Sequence, residues 1–361
     1  MRGDTEHQAH IMLAVTPDDF VPADHPIRRI KPIVDAALRR LSPLFDTMYS
    51  KRGRPSIPPE HLLKASLLIA LYSVRSERQF CEQLRYNLLF KWFLDLNVSD
   101  EPFDASTFSK NRERLLEADV SRAFLAEVVA EARGRHLLSP DHFSVDGTLL
   151  EAWASLKSYR PRGGSGEPPA GGGRNPEVDF RGQQRRSETH ASVTDPRARL
   201  YRKGRGQAAV LGYTGHLLTE NRHELVVDVE LTEATGYAER EAALRMVGRS
   251  TRGRATLGAD RGYAARGFVG ELRALGVTPH VANNDRRWGR GAVDGRTTRH
   301  RGYALSQRRR KLTEEVFGWL KTVGGGRKLR YVGPDRNRSW LELAAAAFDL
   351  VRMARLETAA A

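Results

Sequence analysis

The chain has 361 residues and a formal net charge of +15, long enough for two domains and basic enough to expect a polyanionic partner. No run of about 18 apolar residues offers a membrane span, and Met1 to His7 does not read as a signal peptide. Cys81 is the only cysteine and no His-x3-His pair occurs, which excludes an internal disulfide, a Cys-based zinc site and a metalloprotease helix.

Along the chain, Pro22 to Pro26 reads as a turn, and Ile27 to Leu41 has apolar residues at helical spacing. Lys51 to Pro59 is a basic, Pro-rich break, after which Pro58 or Pro59 suits a first helical turn. Helices are predicted from Glu60 to Leu96, from Asp104 or Ser106 as N-cap, and over Ser121 to Arg133. Residues 1–138 therefore read as an all-helical N-terminal domain. The pattern then changes to a buried strand over 142–147. Residues 160–207 are rich in Gly, Pro and Arg and too poor in apolar groups to order themselves, so a flexible insertion is expected there. Strands follow at 208–218 and 225–231, a helix at 239–247, a strand at 255–260, a helix at 264–275 and a strand at 277–282. A basic loop over 283–303 leads to a helix from Arg310 to Lys321, and Leu341 to Leu356 forms a last helix. This is a mixed α/β sheet flanked by helices, with the catalytic core placed at 139–335 and a C-terminal helix packed on it over 336–361.

Three carboxylates stand out. Asp146 closes the apolar run from His142 and precedes Gly147; Asp260 closes Ala255 to Ala259 and precedes Arg261-Gly262-Tyr263; Glu314 lies on the Arg310–Lys321 helix. Ligands of open α/β sheets collect at strand ends, and hard oxygen donors in a basic protein suit two metal ions acting on a phosphodiester. Taken singly, each acid has a plainer use. Asp146 could cap a helix over Thr148 to Ala154, Asp260 could pair with Arg261 or Arg266, and Glu314 and Glu315 could pair with Arg310 and Lys311. The segment from Asp285 to Arg330 holds fourteen Lys and Arg against four acids, with Trp288, His300, Tyr303 and Trp319 interspersed, which favours phosphate contact over a merely solvated face. Arg299, His300, Arg308, Arg309 and Lys311 are the candidate DNA contacts from that run. Trp319, on the face that packs on the sheet, is expected in the core.

The stretch from Asp294 to Arg330 resembles bacterial insertion-sequence transposases of the DDE type, in particular the insertion-sequence-5 family. Its third-acid signature, Tyr-x2-Arg-x3-Glu-x6-Lys, is matched by Arg310, Glu314 and Lys321, with Gln307 at the tyrosine position. Val145-Asp146-Gly147-Thr148 resembles the first-acid motif and Ala259 to Tyr263 the second; residues 52–114 resemble the N-terminal domain. The resemblance implies a ribonuclease-H-like core in which Asp146, Asp260 and Glu314 are catalytic and hold two Mg²⁺ or Mn²⁺ ions, about 3.5–4 Å apart as in two-metal sites generally. It further implies that Arg310 and Lys321 hold phosphates. The helical domain would bind the element's terminal inverted repeats, pair subunits, or both, in a homodimer or higher oligomer on terminal and target DNA, in the cytoplasm at the nucleoid. A metal-dependent nuclease that cuts without joining, and an inactive DNA-binding relative, share most of these features.

Overall fold

Strand β1, His142–Glu151, is the rail on which the sheet is built. The structure is a computed structural model that describes residues 15–50, 52–53, 56–162, 187–202, 208–283 and 292–360. On one side β1 pairs antiparallel with β5, Val210–Glu220, which pairs antiparallel with β6, Val226–Glu233. On the other it pairs parallel with β7, Ala255–Ala259, and β7 pairs parallel with β8, Val277–Val281. The connections explain the directions. Five residues, Asn221 to Leu225, suffice for the antiparallel turn from β5 to β6, whereas parallel β7 and β8 need a crossover helix, α8 (Arg266–Ala274). Three adjacent antiparallel strands, then two parallel strands joined through helices, form a ribonuclease-H-like α/β core. Helix α7, Ala238–Ser250, covers β5 and β6 from one side.

Two expectations need correction here. β1 does not end at residue 147; it runs on to Glu151 because β5 stays paired with it over nine positions. Gly147 serves close packing instead, since a Cβ there would meet His216 Nδ1 at 3.2 Å and Glu239 Oε1 at 3.3 Å. The insertion expected over 160–207 is partly built into the fold. β2, Tyr159–Pro161, pairs with β3, His190–Ser192, and β4, Arg199–Tyr201, pairs with β5. Buried Asp195 anchors the intervening turn by accepting a 2.7 Å hydrogen bond from Tyr213 Oη. Residues 163–186 and 203–207 lie outside the described residues.

The N-terminal region is helical as expected: α1 (Ile27–Met48), α2 (Pro59–Leu71), α3 (Glu77–Leu84), α4 (Leu88–Phe93), α5 (Ala105–Glu117) and α6 (Val120–Gly134). Ile27, Ile30, Val34, Leu38, Leu41 and Phe45 make the buried stripe of α1 at helical spacing. Ser76, Asn87 and Asp104 cap α3, α4 and α5 through side-chain oxygens that accept backbone N–H bonds. After β8 the chain forms α9 (Gly295–Thr298), α10 (Arg301–Arg309), a 3-10 turn over Arg310–Leu312, α11 (Thr313–Thr322) and α12 (Pro334–Ala360). Part of the basic loop expected over 283–303 is thus helical, capped by Asp294 and His300. The long α12 packs against α6, α2 and β6, so one apolar core runs from Val21 through the sheet to Ala354. No described helix is long and apolar enough to cross a membrane.

Candidate active site

Register brings the two aspartates together. The parallel pairing of β1 with β7 sets Ser144 beside Gly258, so two residues further Asp146 lies level with Asp260, on the same face. β7 stops at Ala259, and Asp260 caps the following 3-10 turn, its Oδ1 accepting from Gly262 N at 2.7 Å. Asp146 is therefore mid-strand, yet it stands where its parallel neighbour ends. Its Oδ1 accepts from Gly147 N at 2.8 Å. Burial pushes Asp146 up to about 6; the charges of Asp260 and Glu314 push the same way, against the opposing pull of the Gly147 N–H and Arg310.

The third acid arrives on α11. Thr313, its first residue, hydrogen-bonds Thr219 on β5 at 3.0 Å between hydroxyl oxygens, which seats the helix N-terminus over the sheet face that Asp146 occupies. Glu314 and Glu315 are both exposed in that first turn but look in different directions. The charge of Glu314 reaches Asp146, whereas that of Glu315 reaches buried Glu224 in the turn before β6. Among the described residues no three acidic, His or Cys side chains are already gathered in a metal-binding arrangement. Asp146 and Asp260 form the standing pair, and Glu314 lies near but does not close on them.

Lys321, two turns along α11, donates to Thr148 Oγ1 at 2.6 Å. Thr148 shares the Asp146 face of β1, two residues on, so the amine is held beside the acids. Arg310 occupies the 3-10 turn with a buried Nε that has no hydrogen-bond partner among the described residues, and its charge is felt at Asp146. Arg308 and Arg309 are exposed in the last turn of α10, Lys311 is exposed beside them, and Arg299 donates to Gly295 O at 2.9 Å. His300 caps α10. The aromatic residues mostly pack inward: Trp319 meets Phe348 edge to face at 5.7 Å, and Tyr303 donates to Val281 O at 3.0 Å. Trp288 lies outside the described residues.

Two contributors were not assigned from sequence. Thr148 was accessible to a period-two count from Asp146. Gln307 was noted only as a departure; its Nε2 donates to His280 O and, at 3.4 Å, to Ala259 O, tying α10 to the ends of β7 and β8 next to Asp260. Below it, Gly258 lets α10 approach, since a Cβ there would lie 3.0 Å from Ser144 Oγ and 3.4 Å from Ser306 O.

Residues 179–350 match the family model described as Transposase DDE domain, and residues 15–114 match Transposase domain (DUF772). The chain belongs to the DDE-type insertion-sequence transposases. The first match contains Asp260 and Glu314, whereas Asp146 lies between the two matched segments and is tied to them by strand register. No curated protein sequence matches. Solved transposase structures are similar at a distance. The piggyBac transposase synaptic complex with hairpin DNA shares 9% identity at a TM-score of 0.41, over 92% of this chain and 76% of that one. The Mos1 transposase paired-end complex with left transposon end shares 11% at 0.20, over 67% and 65%. The Mos1 paired-end complex with Mg shares 12% at 0.19, over 88% and 86%. This transposase is too distant from them for residues to be carried across.

Proposed function

We propose that Asp146, Asp260 and Glu314 are the catalytic acids with which this transposase cuts insertion-sequence ends and joins them to target DNA. The observation that carries this reading is the level alignment of Asp146 with Asp260 on adjacent parallel strands, beside the helix that brings Glu314, Arg310 and Lys321. The family generally works with divalent metal. The donor set fits one: the acids are hard oxygen ligands, the charges of Asp260 and Glu314 push Asp146 up, and a cation would relieve that repulsion. Two Mg²⁺ or Mn²⁺ ions held by Asp146, Asp260 and Glu314 would supply Lewis acidity at the attacking and leaving oxygens.

The chain's own residues do the rest. Asp146 and Asp260 each anchor one carboxylate oxygen on a neighbouring backbone N–H and keep the other for the site. Arg310 and Lys321 neutralise phosphate at the acids' edge, while exposed Arg299, Arg308, Arg309 and Lys311 hold the flanking backbone. The N-terminal helices would bind the terminal repeats or pair subunits, in an oligomer assembled on DNA within the cytoplasm. Arg310-x3-Glu314-x6-Lys321 favours the insertion-sequence-5 group within the family.

The test is a cleavage and strand-transfer assay on DNA bearing the element's ends. Asp146→Asn, Asp260→Asn and Glu314→Gln should each lower both steps by at least about a thousandfold with DNA affinity kept. Glu315→Gln should stay active. Full joining by any of the first three removes that residue from the site. Cleavage without joining of pre-cut ends would make the protein a nuclease.

A further inference from the structure

Gly147, the residue after Asp146, leaves room beside β1 that a carboxylate fills. Glu239, half-buried in the first turn of α7, has its Oε1 3.3 Å from where a Gly147 Cβ would stand. The plainer use of a first-turn acid, offsetting the helix dipole, is served by exposed Glu241 on the same turn. Glu239 is turned inward instead.

Asp146 and Gly147 project to opposite faces of β1, so Glu239 comes to the strand from the side away from Asp146. The sheet does not wall the two acids apart. β1 pairs with β7 only from His142 to Ser144, and β7 ends at Ala259. Beside Asp146 and Gly147 that edge of β1 is therefore free of a paired strand, and Asp260 stands next to it. Tyr263 lies just past the same edge. Burial holds its hydroxyl well above the ordinary tyrosine range, and the charges of Glu239, Asp146 and Asp260 all push it the same way. One phenol thus feels the acids of both faces.

Two buried groups support the spot. His216 is fully buried, and its Nδ1 lies 3.2 Å from the same Gly147 Cβ position with no hydrogen-bond partner among the described residues. Its Nε2 faces Thr232 Oγ1 at 2.7 Å; a hydroxyl that donates there leaves the Nδ1 proton toward Glu239. The Tyr263 Oη is also buried without a partner among the described residues. Carboxylates that bind metal are themselves steadied by such neighbouring donors.

We propose that Glu239 is a further ligand of the divalent metal centre, its carboxylate rounding the free edge of β1 to meet an ion held by Asp146 and Asp260. The outer oxygens of a two-ion centre stand about 8 Å apart, with each oxygen about 2.1 Å from its ion and the ions about 3.5–4 Å from each other. Such a span joins the two sides of a single strand. This rests on the proposed role of Asp146, Asp260 and Glu314, and it adds a ligand that motif spacing does not name. The centre then ties α7 and α11 to the same strand.

Full-length protein is titrated with Mn²⁺ alone, the free ion being read by electron paramagnetic resonance, and melted with and without the metal. Glu239→Gln, almost the same size, should weaken Mn²⁺ binding about tenfold or more. Its metal-free melting temperature should match or exceed the parent's, because one of four neighbouring carboxylates has lost its charge, and the rise on adding Mn²⁺ should shrink. A merely structural acid would do the reverse, lowering the metal-free melt and leaving Mn²⁺ affinity unchanged. Gly147→Ala, whose methyl would take the room that Glu239 fills, should also weaken Mn²⁺, whereas Glu241→Gln should behave as the parent. Parental Mn²⁺ affinity in Glu239→Gln, beside its loss in Asp146→Asn, overturns the added ligand and leaves the proposed acids standing. Undiminished binding by Asp146→Asn, or a parent that takes up no Mn²⁺, overturns the metal centre itself.

Discussion

Gln307 shows how one side chain can hold a proposed catalytic acid that it does not touch. Its amide donates to the carbonyls of His280 and Ala259, and Ala259 is the residue before Asp260. Those carbonyls lie near the ends of two parallel strands, where Ala259 O also accepts from Ala282 N at 3.0 Å. Loss of the amide lets α10 and the β7 end drift, and a small misplacement at a reacting centre is expensive. Gln307→Leu should lower cleavage by about tenfold to a hundredfold with DNA affinity unchanged. Gln307→Glu, almost the same shape, sets an acceptor against two acceptors and should be worse than leucine. A plasmid-nicking rate beside a binding titration checks both, and a glutamate variant as active as the parent would dismiss the positioning role. The preference for Glu314 over its neighbour belongs to this scale too. Sequence register favours it, and the charge of Glu315 acts on Glu224 rather than on Asp146.

At the scale of elements, α12 binds the sheet through a carboxyl group. Asp349 is 1% exposed and accepts a 2.8 Å hydrogen bond from Val226 N, the first residue of β6; burial holds its pKa well above the usual aspartate range. The native state therefore keeps this proton more tightly than the unfolded chain. The contribution is fully present below the ordinary aspartate pKa of about 3.9 and is lost as pH rises through the native value. Asp349→Asn keeps the acceptor without the charge, so its melting temperature should match or exceed the parent's at pH 8 and the pH slope should flatten. Asp349→Leu orphans the Val226 N–H and should cost about 1–3 kcal/mol. Thermal melts at pH 5 and pH 8 decide it; an asparagine variant less stable at pH 8 would mean the charged form is the native one. The turn between α11 and α12 has its own constraint. Gly325 has φ +76°, and a Cβ on Gly326 would stand 2.1 Å from the Trp340 ring, so this glycine run is dictated by packing.

For the whole molecule, the change from helices to strands near residue 138 is not a break in the core. α12 covers α6 and β6 together, and Arg122 on α6 reaches Glu342 on α12 at 3.1 Å and Asp228 on β6 at 3.6 Å. Burial raises Glu342 to about 7, so this junction tolerates its acid poorly when charged. A fragment of residues 1–138 would bare the faces that α12 covers. We expect it to lack a cooperative melt, and the full chain to unfold in one calorimetric transition. Two resolved transitions, with the fragment reproducing one of them, would restore an independent helical domain. The strands that became β1, β5, β6, β7 and β8, most helices and the basic run were legible in the sequence, and the three proposed acids were picked out there by motif, because alternation, helical spacing and motif spacing are properties of neighbouring residues. Burial was legible for the same reason in Trp319. The continuation of β1 past Asp146, the use of 190–201 as strands and the nine-position pairing with β5 were not, because edge pairing between segments dozens of residues apart leaves no local pattern. Nor could the sequence say that a 114-residue separation equals the β1–β7 register offset. That equality sets Asp146 level with Asp260, and only hydrogen bonding between the two strands fixes it.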